Sequence, residues 1–559
     1  MRRMIIYQLL PRLFGNRNSR CVHNGTIEEN GVGKFADIDL AALTAIKRLR
    51  VTHIWLTGIL EHASTTDYSQ YGIPLADPSL VKGRAGSPYA ISDYYDVSPD
   101  LAIDVPRRLN EFKSLVERCH RSELKVIIDF VPNHLFRQYA SDAKPEGVSD
   151  FGANDNRLLA FSPQNNFYYL PESQFVSPVL GDYQEKPAKA TGNDCFVPNP
   201  GPNDWYETVK LNYGVDYPHG QRNHFDPIPD TWHKMLDVLA FWRDMGVDGF
   251  RCDMAEMVPS PFWAWVIPQV KVRKNALIFI AEIYKTEYYV EYLSSGFDYL
   301  YNKTGLYDTL RAVLGGARSA GDLSDCWRHL DCPQSNMLNF LENHDEQRIA
   351  SDFFMGDPYK AIPALVFLTC FSTAPFMLYM GQEFGERGMD KEGFSAVDGR
   401  TSIFDYWCVD TLRRFNNNGQ FNTEQLSDAE RKLYNLYMKL LSLLSSNPAL
   451  AYGETFDLGY ANQNQSHFNP CKHFAFLRHT KSPVEETLLI ALNFDEQPTE
   501  MGICIPKHAF EYLRIPDEML VAKEVLFGLG NPLNKTAVLS SQTLFPVKIS
   551  AHGAVIIKI

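Results

Sequence analysis

Hydrophobic runs and amphipathic helical patterns alternate along the first 446 residues, with one long interruption. Short apolar runs flanked by turn residues are typical of parallel strands that are covered on both faces. Apolar residues at every third or fourth position predict the helices between them. The predicted strands are 4–14, 52–60, 125–134, 247–255, 276–284, 297–303, 337–345 and 375–385. The predicted helices are 40–50, 106–120, 231–245, 260–273 and 428–446.

Four of these predicted strands are apolar for about five residues and then end in charged side chains. They are VIIDFVPNH (126–134), VDGFRCDMA (247–255), LIFIAEIY (277–284) and MLNFLENHD (337–345). Eight strands alternating with helices predict an α/β protein with a (β/α)8 barrel, whose strands all end at one mouth. Carboxylates far apart in sequence therefore meet there, which predicts a catalytic site.

The interruption and the C-terminal part predict two further domains. Residues 135–228 are rich in Pro, Gly, Asn and aromatics, and a structureless loop of that length is uncommon in a compact domain. We therefore expect a small inserted domain of irregular β structure. After Asn447, short alternating runs predict an antiparallel β-sandwich. The predicted domains are the barrel (1–134 and 229–446), the inserted domain (135–228) and the sandwich (447–559).

Composition and charge restrict the classes of partner and the compartment that we expect for this protein. The net charge of −13 argues against nucleic acid or an anionic membrane surface as a partner. No apolar run approaches the roughly 20 residues of a membrane span. The 10 cysteines show neither a CxxC pair nor metal-ligand spacing, which favours a reducing compartment. The apolar run after Arg3 is too short for a signal peptide, so we expect a cytoplasmic protein, with a signal removed upstream as the alternative.

Paired carboxylates at neighbouring strand ends predict glycosidic bond cleavage. A retaining enzyme needs one carboxylate as nucleophile and one carboxylic acid as proton donor, about 5 Å apart. Asp253 and Glu282 end adjacent strands and can supply this pair. Arg251, two residues before Asp253, lies on the same side of the strand and would keep Asp253 ionised. Asp345 adds a third carboxylate that could bind sugar hydroxyls.

Each of these residues also has a purely structural interpretation. A single strand-end Asp is more often a turn or helix cap than a catalytic group. His134 or His344 alone would more often be a packed histidine than a sugar ligand. Asp129, in the middle of its strand, is expected to be a buried carboxylate that ties its strand to Arg251. The joint pattern of four strand-end clusters favours the catalytic interpretation.

These residues resemble the α-amylase family of glycoside hydrolases (family 13). The matching segments are DFVPNH (129–134), GFRCDMA (249–255), the strand of Glu282, FLENHD (340–345), YMGQEFGE (379–386) and PYAISDYYDV (88–97). The resemblance implies retention of anomeric configuration and α-glucosidic substrates. It also implies that Asp253 is the nucleophile, Glu282 the general acid/base and Asp345 the transition-state stabiliser. Arg251, His134 and His344 would contact the central sugar, and Tyr89 would stack beneath it.

The sequence departs from the family pattern after the nucleophile. Many family amylases carry Lys-His three and four residues after it, where this chain has Glu256 and Met257. This puts ordinary endo-amylase action in doubt and leaves glucosidase, maltogenic or transferase activity open. The departure also weakens the family's structural calcium site, for which Asn133 matches one ligand. As an alternative, Asn133 is a hydrogen-bonded turn residue.

The resulting hypothesis is a retaining hydrolase acting on α-1,4 bonds in maltooligosaccharides or starch-like glucans. Trp205, in a polar turn of the inserted domain, is the preferred sugar-stacking platform, although most aromatics there are expected to form that domain's own core. The chemistry requires no cofactor. A glucanotransferase, glucosidase or isomerase of the same family is the alternative, followed by a barrel that only binds sugar.

Overall fold

The computed structural model describes residues 3–559 except 275, 329–332, 390–393, 395, 522 and 527–536. Eight parallel strands form a closed barrel in which each strand pairs with its neighbours in sequence and the last pairs with the first. The strands are β1 (Ile5–Leu9), β2 (His53–Leu56), β3 (Lys125–Phe130), β4 (Gly249–Cys252), β5 (Ile278–Ala281), β6 (Tyr299–Tyr301), β7 (Met337–Phe340) and β8 (Phe376–Tyr379). The predicted (β/α)8 barrel is confirmed.

Helices cover the outside of the barrel. The α-helices of the barrel part are Pro11–Phe14, Ile27–Asn30, Leu40–Arg48, Arg108–Arg121, Asp230–Asp244, Ser260–Lys271, Tyr289–Ser294, Asp308–Leu314, Asp325–Arg328, Ile362–Cys370, Asp410–Asn416 and Asp428–Ser446. The last of these begins with a reciprocal capping box between Ser427 and Glu430. None of the described helices is both long and apolar enough to cross a membrane.

The observed strands are shorter than the predicted ones, because each predicted run continues into the loop beyond its strand. The first shows this most clearly: the strand ends at Leu9, and residues 10–14, predicted as strand, contain a helical turn that Pro11 begins. Asp253 and Glu282 likewise follow the last residues of β4 and β5. Their side chains are therefore held at the mouth and not within the sheet.

Alternate residues of the barrel strands fill its interior. Ile6, Trp55, Ile127, Ile280 and Met377 belong to one buried cluster that packs the barrel below the site. On β4, a side chain at position 249 would come 2.9 Å from the carbonyl oxygen of Ile278 on β5, so this strand start requires glycine. Burial of this layer fixes the positions from which the functional side chains project.

Short antiparallel strand pairs build the region around the mouth. They are Leu60–His62 with Ile91–Val97, His134–Phe136 with Thr208–Lys210, Tyr169–Leu170 with Ala188–Lys189, and Val215–Asp216 with Arg222–Asn223. The guanidinium of Arg137 is buried among them and donates to Glu185 at 2.6 Å, to Thr191 and to three backbone carbonyls. Because a buried guanidinium must satisfy its five donors, this network links the segments that supply the acceptors.

The C-terminal part contains the antiparallel sheet that the sequence predicts. Its strands are β9 (Glu454–Asp457), β10 (His473–Thr480), β11 (Glu486–Asn493), β12 (Lys523–Glu524) and β13 (Ala554–Lys558), in the order β9-β10-β11-β13-β12. Further pairs are Thr499–Ile503 with Phe545–Ile549 and Met519–Val521 with Ala537–Leu539, and the helices are Pro448–Tyr452, Gly459–Asn462 and Lys507–Leu513. The predicted strand at 523–528 extends beyond the described residues.

The C-terminal sheet lies between two apolar layers. Phe474 and Ile490 on one face belong to the same buried cluster as the barrel helices, and Phe474 packs 5.3 Å from the ring of Phe367 in helix Ile362–Cys370. Leu477 and Leu489 belong to a second cluster that the smaller strand pairs cover. The sheet is therefore buried on both faces and is attached to the barrel through helix Ile362–Cys370. The exact limits of the three domains stay a prediction.

Candidate active site

Arg251 lies at the centre of a group of carboxylates at the carboxyl ends of β3, β4 and β5. Its Nη1 is 2.7 Å from Asp253 Oδ1 and 3.4 Å from Asp129 Oδ1, and its Nη2 is 2.8 Å from Glu282 Oε1. The geometry at Nη2 is that of an ion pair and not of a directed hydrogen bond. Burial lowers the pKa of Arg251, but Glu282 and its other neighbours more than offset this, so the guanidinium stays charged.

Asp253 has one oxygen bound and one free. Its Oδ1 accepts the hydrogen bond from Arg251, whereas its Oδ2 is buried without a partner, and the residue lines the cavity described below. Burial raises the pKa of Asp253, and Arg251 opposes that shift. A single guanidinium faces Asp253, Glu282 and Asp129, so the group carries excess negative charge if all three are ionised. Burial therefore favours a proton within the group.

Glu282 is oriented by two donors that sequence reasoning missed. The backbone N–H of Met254 donates to its Oε2 at 2.8 Å, and the hydroxyl of Tyr284 donates to its Oε1 at 2.6 Å. Met254 adopts a left-handed backbone conformation with φ of 43°, which is strained for a residue with a side chain. That strain is consistent with a functional role for the turn after Asp253. Tyr284 could have been found, because it lies two residues after Glu282.

Asp345 and His344 stand on the opposite side of the mouth, after β7. His344 Nε2 is 3.1 Å from Asp345 Oδ2, while Nδ1 accepts a hydrogen bond from the Gln8 amide at 2.8 Å. Burial and Arg251 lower the pKa of His344, so its ring is neutral. Asp345 has 42% of its side-chain surface open to the cleft. Partial removal of its carboxylate from water and the charge of Glu282 nevertheless raise its pKa. Tyr89 stacks on His344 at 5.4 Å and contacts it through its hydroxyl.

His134, at the end of the first barrel stretch, and Trp205, in the inserted segment, form one wall of the site. Their ring centroids are 5.0 Å apart, and both line the cavity. Burial, Lys210 and Lys82 lower the pKa of His134 to about 3, so it is a neutral donor or acceptor. A side chain at Gly192 would come 2.8 Å from the Cβ of His134, which explains the glycine at that close approach.

A cavity of about 350 Å³ joins these walls. It is lined by Lys82, Ser87, Tyr89, His134, Trp205, Glu207, Thr208, Asp253, Met254, Glu282, Tyr284, Asp345, Ile403 and Phe404. Lys82 and Glu207 form a buried ion pair at 2.9 Å in its wall. The structure thus brings the three predicted carboxylates, Tyr89, His134 and Trp205 to one cavity. Arg251 lies behind it, and His344 lies beside Asp345. The roles assigned to these residues stay predictions.

The predicted calcium ligand Asn133 is bound to a lysine. Its Oδ1 accepts a hydrogen bond from Lys210 Nζ at 2.6 Å, and its Nδ2 donates to the carbonyl of Gly192 at 2.8 Å. The oxygen that a calcium ion would need is therefore held by an ammonium group, so the residues around Asn133 do not fit a calcium ion. Glu256, one of the two departures from the family pattern after Asp253, accepts hydrogen bonds from the backbone N–H groups of Tyr284 and Lys285 at 3.0 Å.

The chain is similar in sequence and in fold to several known proteins. Residues 8–273 match the family model for the alpha-amylase catalytic domain. The alpha-amylase MalA of Haloarcula japonica is 27% identical over 391 residues, which are 69% of this chain and 44% of that protein. Alpha-amylase 3 of Dictyoglomus thermophilum is 24% identical, over 77% of this chain and 79% of that protein. The maltogenic alpha-amylase AmyB of Thermotoga neapolitana superposes with a TM-score of 0.63 at 19% identity, over 100% and 98% of the two chains.

Proposed function

We propose that this chain is a retaining glycoside hydrolase of the α-amylase family that cleaves α-1,4-glucosidic bonds in maltooligosaccharides or starch-like glucans. The observation that carries the proposal is the hydrogen bonding of the two Asp253 carboxylate oxygens. Arg251 holds one carboxylate oxygen, while the other has no partner in a residue that lines the cavity. A carboxylate so oriented is suited to attack an anomeric carbon.

The reaction proceeds in two displacements. Asp253 Oδ2 attacks the anomeric carbon, the bond to the leaving oxygen breaks, and protonated Glu282 gives its proton to that oxygen. Glu282, now ionised, takes a proton from water, and the water oxygen attacks the anomeric carbon on the face opposite Asp253 and displaces it. Two inversions give a product with the α configuration of the substrate. Met254 and Tyr284 hold Glu282 where both proton transfers occur.

The other residues around the cavity bind the sugar. Asp345 is suited to hold hydroxyl groups of the central ring, with neutral His134 and His344 as further hydrogen-bonding groups. Tyr89 and Trp205 offer aromatic faces, which suit the apolar faces of glucose rings. Nucleophile, proton donor and water activation all come from side chains, so we propose that the chemistry uses no cofactor. The partner is an α-glucan, and nucleic acid and membrane are not proposed.

Variants of the two carboxylates test this mechanism. Glu282→Gln should lose at least about 100-fold in kcat on maltoheptaose, since general acid–base catalysis contributes about 10²–10⁴-fold. The same variant should still form the glycosyl-enzyme from α-maltosyl fluoride, whose leaving group needs no proton, and azide should restore its turnover. Asp253→Asn should lose both activities. Proton NMR of the first wild-type product should show the α anomer.

The controls for these variants are their melting temperatures and circular dichroism. A Glu282→Gln enzyme that hydrolyses maltoheptaose at the wild-type rate would refute the assignment of the acid/base. An Asp253→Asn variant that unfolds instead of losing turnover would mean that Asp253 serves the fold. A first product with the β anomer would exclude the double displacement.

The second candidate is a glucanotransferase or glucosidase with the same first displacement. Glu256 and Met257 favour this candidate, because they stand where many family amylases have Lys-His. The Glu256 carboxylate accepts hydrogen bonds from the backbone after β5, and the Met257 carbonyl accepts one from Lys210. Neither residue therefore supplies the sugar contacts of that Lys-His pair. Chromatography of products from maltoheptaose, amylopectin, isomaltose and maltose separates the candidates. Short maltooligosaccharides from the polymer support the hydrolase. Products longer than the substrate, or activity on disaccharides alone, support the alternatives.

A further inference from the structure

Lys210 is a buried lysine at the junction of the barrel and the inserted segment. It ends the strand Thr208–Lys210, which pairs with His134–Phe136 so that Lys210 lies opposite His134. Only 2% of its side chain is exposed. A lysine is almost never buried to this extent unless its charge is bound by other groups.

Three oxygens surround its ammonium group. Nζ is 2.6 Å from Asn133 Oδ1, 2.7 Å from Asp194 Oδ1 and 3.3 Å from the carbonyl oxygen of Met257. The ring of Tyr217 lies 5.5 Å away on a further side. An ammonium group has three N–H donors and no acceptor, so these three oxygens match the full donor set of a charged lysine, whereas a neutral amine would have only two donors.

The three oxygens come from different parts of the chain. Asn133 follows β3, Asp194 belongs to the inserted segment, and Met257 follows β4. The ammonium group at their centre therefore links these three segments. Burial lowers the pKa of Lys210, and the neighbouring Asp194 carboxylate opposes that shift.

We propose that the Lys210 ammonium takes the place of a bound metal ion at this junction, and that the protein needs no calcium there. Calcium binds six to eight oxygens at 2.3–2.6 Å. Here the oxygens surround a nitrogen at hydrogen-bond distances, and a divalent ion beside it would meet a like charge. The sugar-binding wall is thus positioned by a cation that is covalently part of the chain and cannot be removed by a chelator.

Lys210 consequently acts on the cavity as a positioning residue. Asn133, which it binds, precedes His134 directly, and the Asn133 amide also holds Gly192 over the His134 ring. His134 in turn packs against Trp205. Loss of the Lys210 charge should therefore loosen the wall formed by His134 and Trp205 and weaken sugar binding more than it slows the bond-breaking step.

Thermal unfolding tests the proposal without reference to activity. The wild-type chain, after treatment with EDTA, should melt at the same temperature with and without millimolar calcium chloride. Lys210→Met, which keeps most of the side-chain volume, should melt roughly 5–10 °C lower, because the buried Asn133 oxygen loses its donor and Asp194 loses its partner. In Lys210→Met with Asp194→Asn, part of that loss should be recovered, since no unpaired carboxylate remains. Maltoheptaose KM should rise about tenfold in Lys210→Met, with a smaller change in kcat.

Lys189→Met is the matched control. Lys189 is also a lysine of the inserted segment, paired with Glu185 at 3.2 Å, but it lies outside the Asn133 contacts. This variant should leave KM for maltoheptaose unchanged. The proposal is overturned if Lys210→Met melts with the wild type, or if EDTA lowers the wild-type melting temperature as far as the Lys210→Met substitution does and calcium restores it.

Discussion

Replacing Arg251 by Met should expose how strongly the site depends on one buried cation. The guanidinium is fully buried and contacts Asp253 at 2.7 Å, Glu282 at 2.8 Å and Asp129 at 3.4 Å. Removing one member of a buried ion pair costs about 3–5 kcal/mol, because the partner charge stays without compensation. For a large domain each kcal/mol lowers the melting temperature by about 2–4 °C, so the expected loss is roughly 6–20 °C.

The loss should grow with pH, and the sign follows from the carboxylates. Burial raises the pKa of Asp129 to about 6 in the wild type even though Arg251 lowers it. Without Arg251 this pKa rises further, so the folded variant holds protons that the unfolded chain releases above about pH 4. Stability of the variant is therefore retained at low pH and lost as the pH rises through the raised pKa.

Differential scanning calorimetry of the wild type, Arg251→Met and Arg251→Lys at pH 5, 6.5 and 8 measures this effect. The deficit of Arg251→Met should be smallest at pH 5 and largest at pH 8. Arg251→Lys keeps the positive charge, so its melting temperature should fall less than that of Arg251→Met. It should still fall below the wild type, because a compact ammonium group cannot contact all three carboxylates. An equal deficit at all three pH values would refute the electrostatic reasoning and leave lost packing among the aromatic rings as the cause.

Three further predictions concern the walls of the site and the buried histidines. Tyr284→Phe should lower kcat on maltoheptaose about 10- to 100-fold with an unchanged melting temperature. The lost hydrogen bond to Glu282 is 2.6 Å long, and a hydrogen bond to a charged group contributes about 1.5–3 kcal/mol. An unchanged kcat would contradict this prediction. Trp205→Ala should raise KM for maltoheptaose several-fold with little change in kcat, and an unchanged KM would mean that Trp205 only packs against the wall. Burial lowers the pKa of His62 and of His134 to about 3, so both rings stay neutral in the folded protein while the unfolded chain takes up protons below about pH 6.5. The stability of the folded protein is therefore unaffected by these histidines above about pH 6.5 and decreases as the pH falls toward 3. The melting temperature of His62→Asn should therefore fall less between pH 6.5 and 4 than that of the wild type, and equal slopes would exclude His62 as a source of the acid loss.

The sequence predicted the barrel and the acidic strand ends because both depend on local patterns. Apolar runs that stop at charged residues identify β3, β4, β5 and β7, and in a parallel barrel the carboxyl ends of such strands must meet at one mouth. Asp253 and Glu282 therefore needed no tertiary information beyond the fold class. Strand lengths were overestimated, because an apolar run does not show where the ladder ends and the loop begins.

Other contacts could not be predicted from local pattern. The local sequence around Lys210 does not distinguish it from an exposed polar residue of a short strand. Its partners Asn133 and Met257 lie 77 and 47 positions away. The donor role of Met254 depends on a left-handed backbone turn that no side-chain pattern specifies. The polar turn around Trp205 singled it out in the sequence, but its packing against His134 is a contact that only the structure shows.

The sequence by itself therefore determined the fold class and the acids available for chemistry, since hydrophobic periodicity and residue type are local properties. The tertiary structure decided how those acids are held: which oxygen of Asp253 stays free, which donors orient Glu282, and which cation binds Asn133. These depend on close approaches between segments that are distant in the chain. In a densely packed interior, such distances are set by all the surrounding side chains together and not by any one segment.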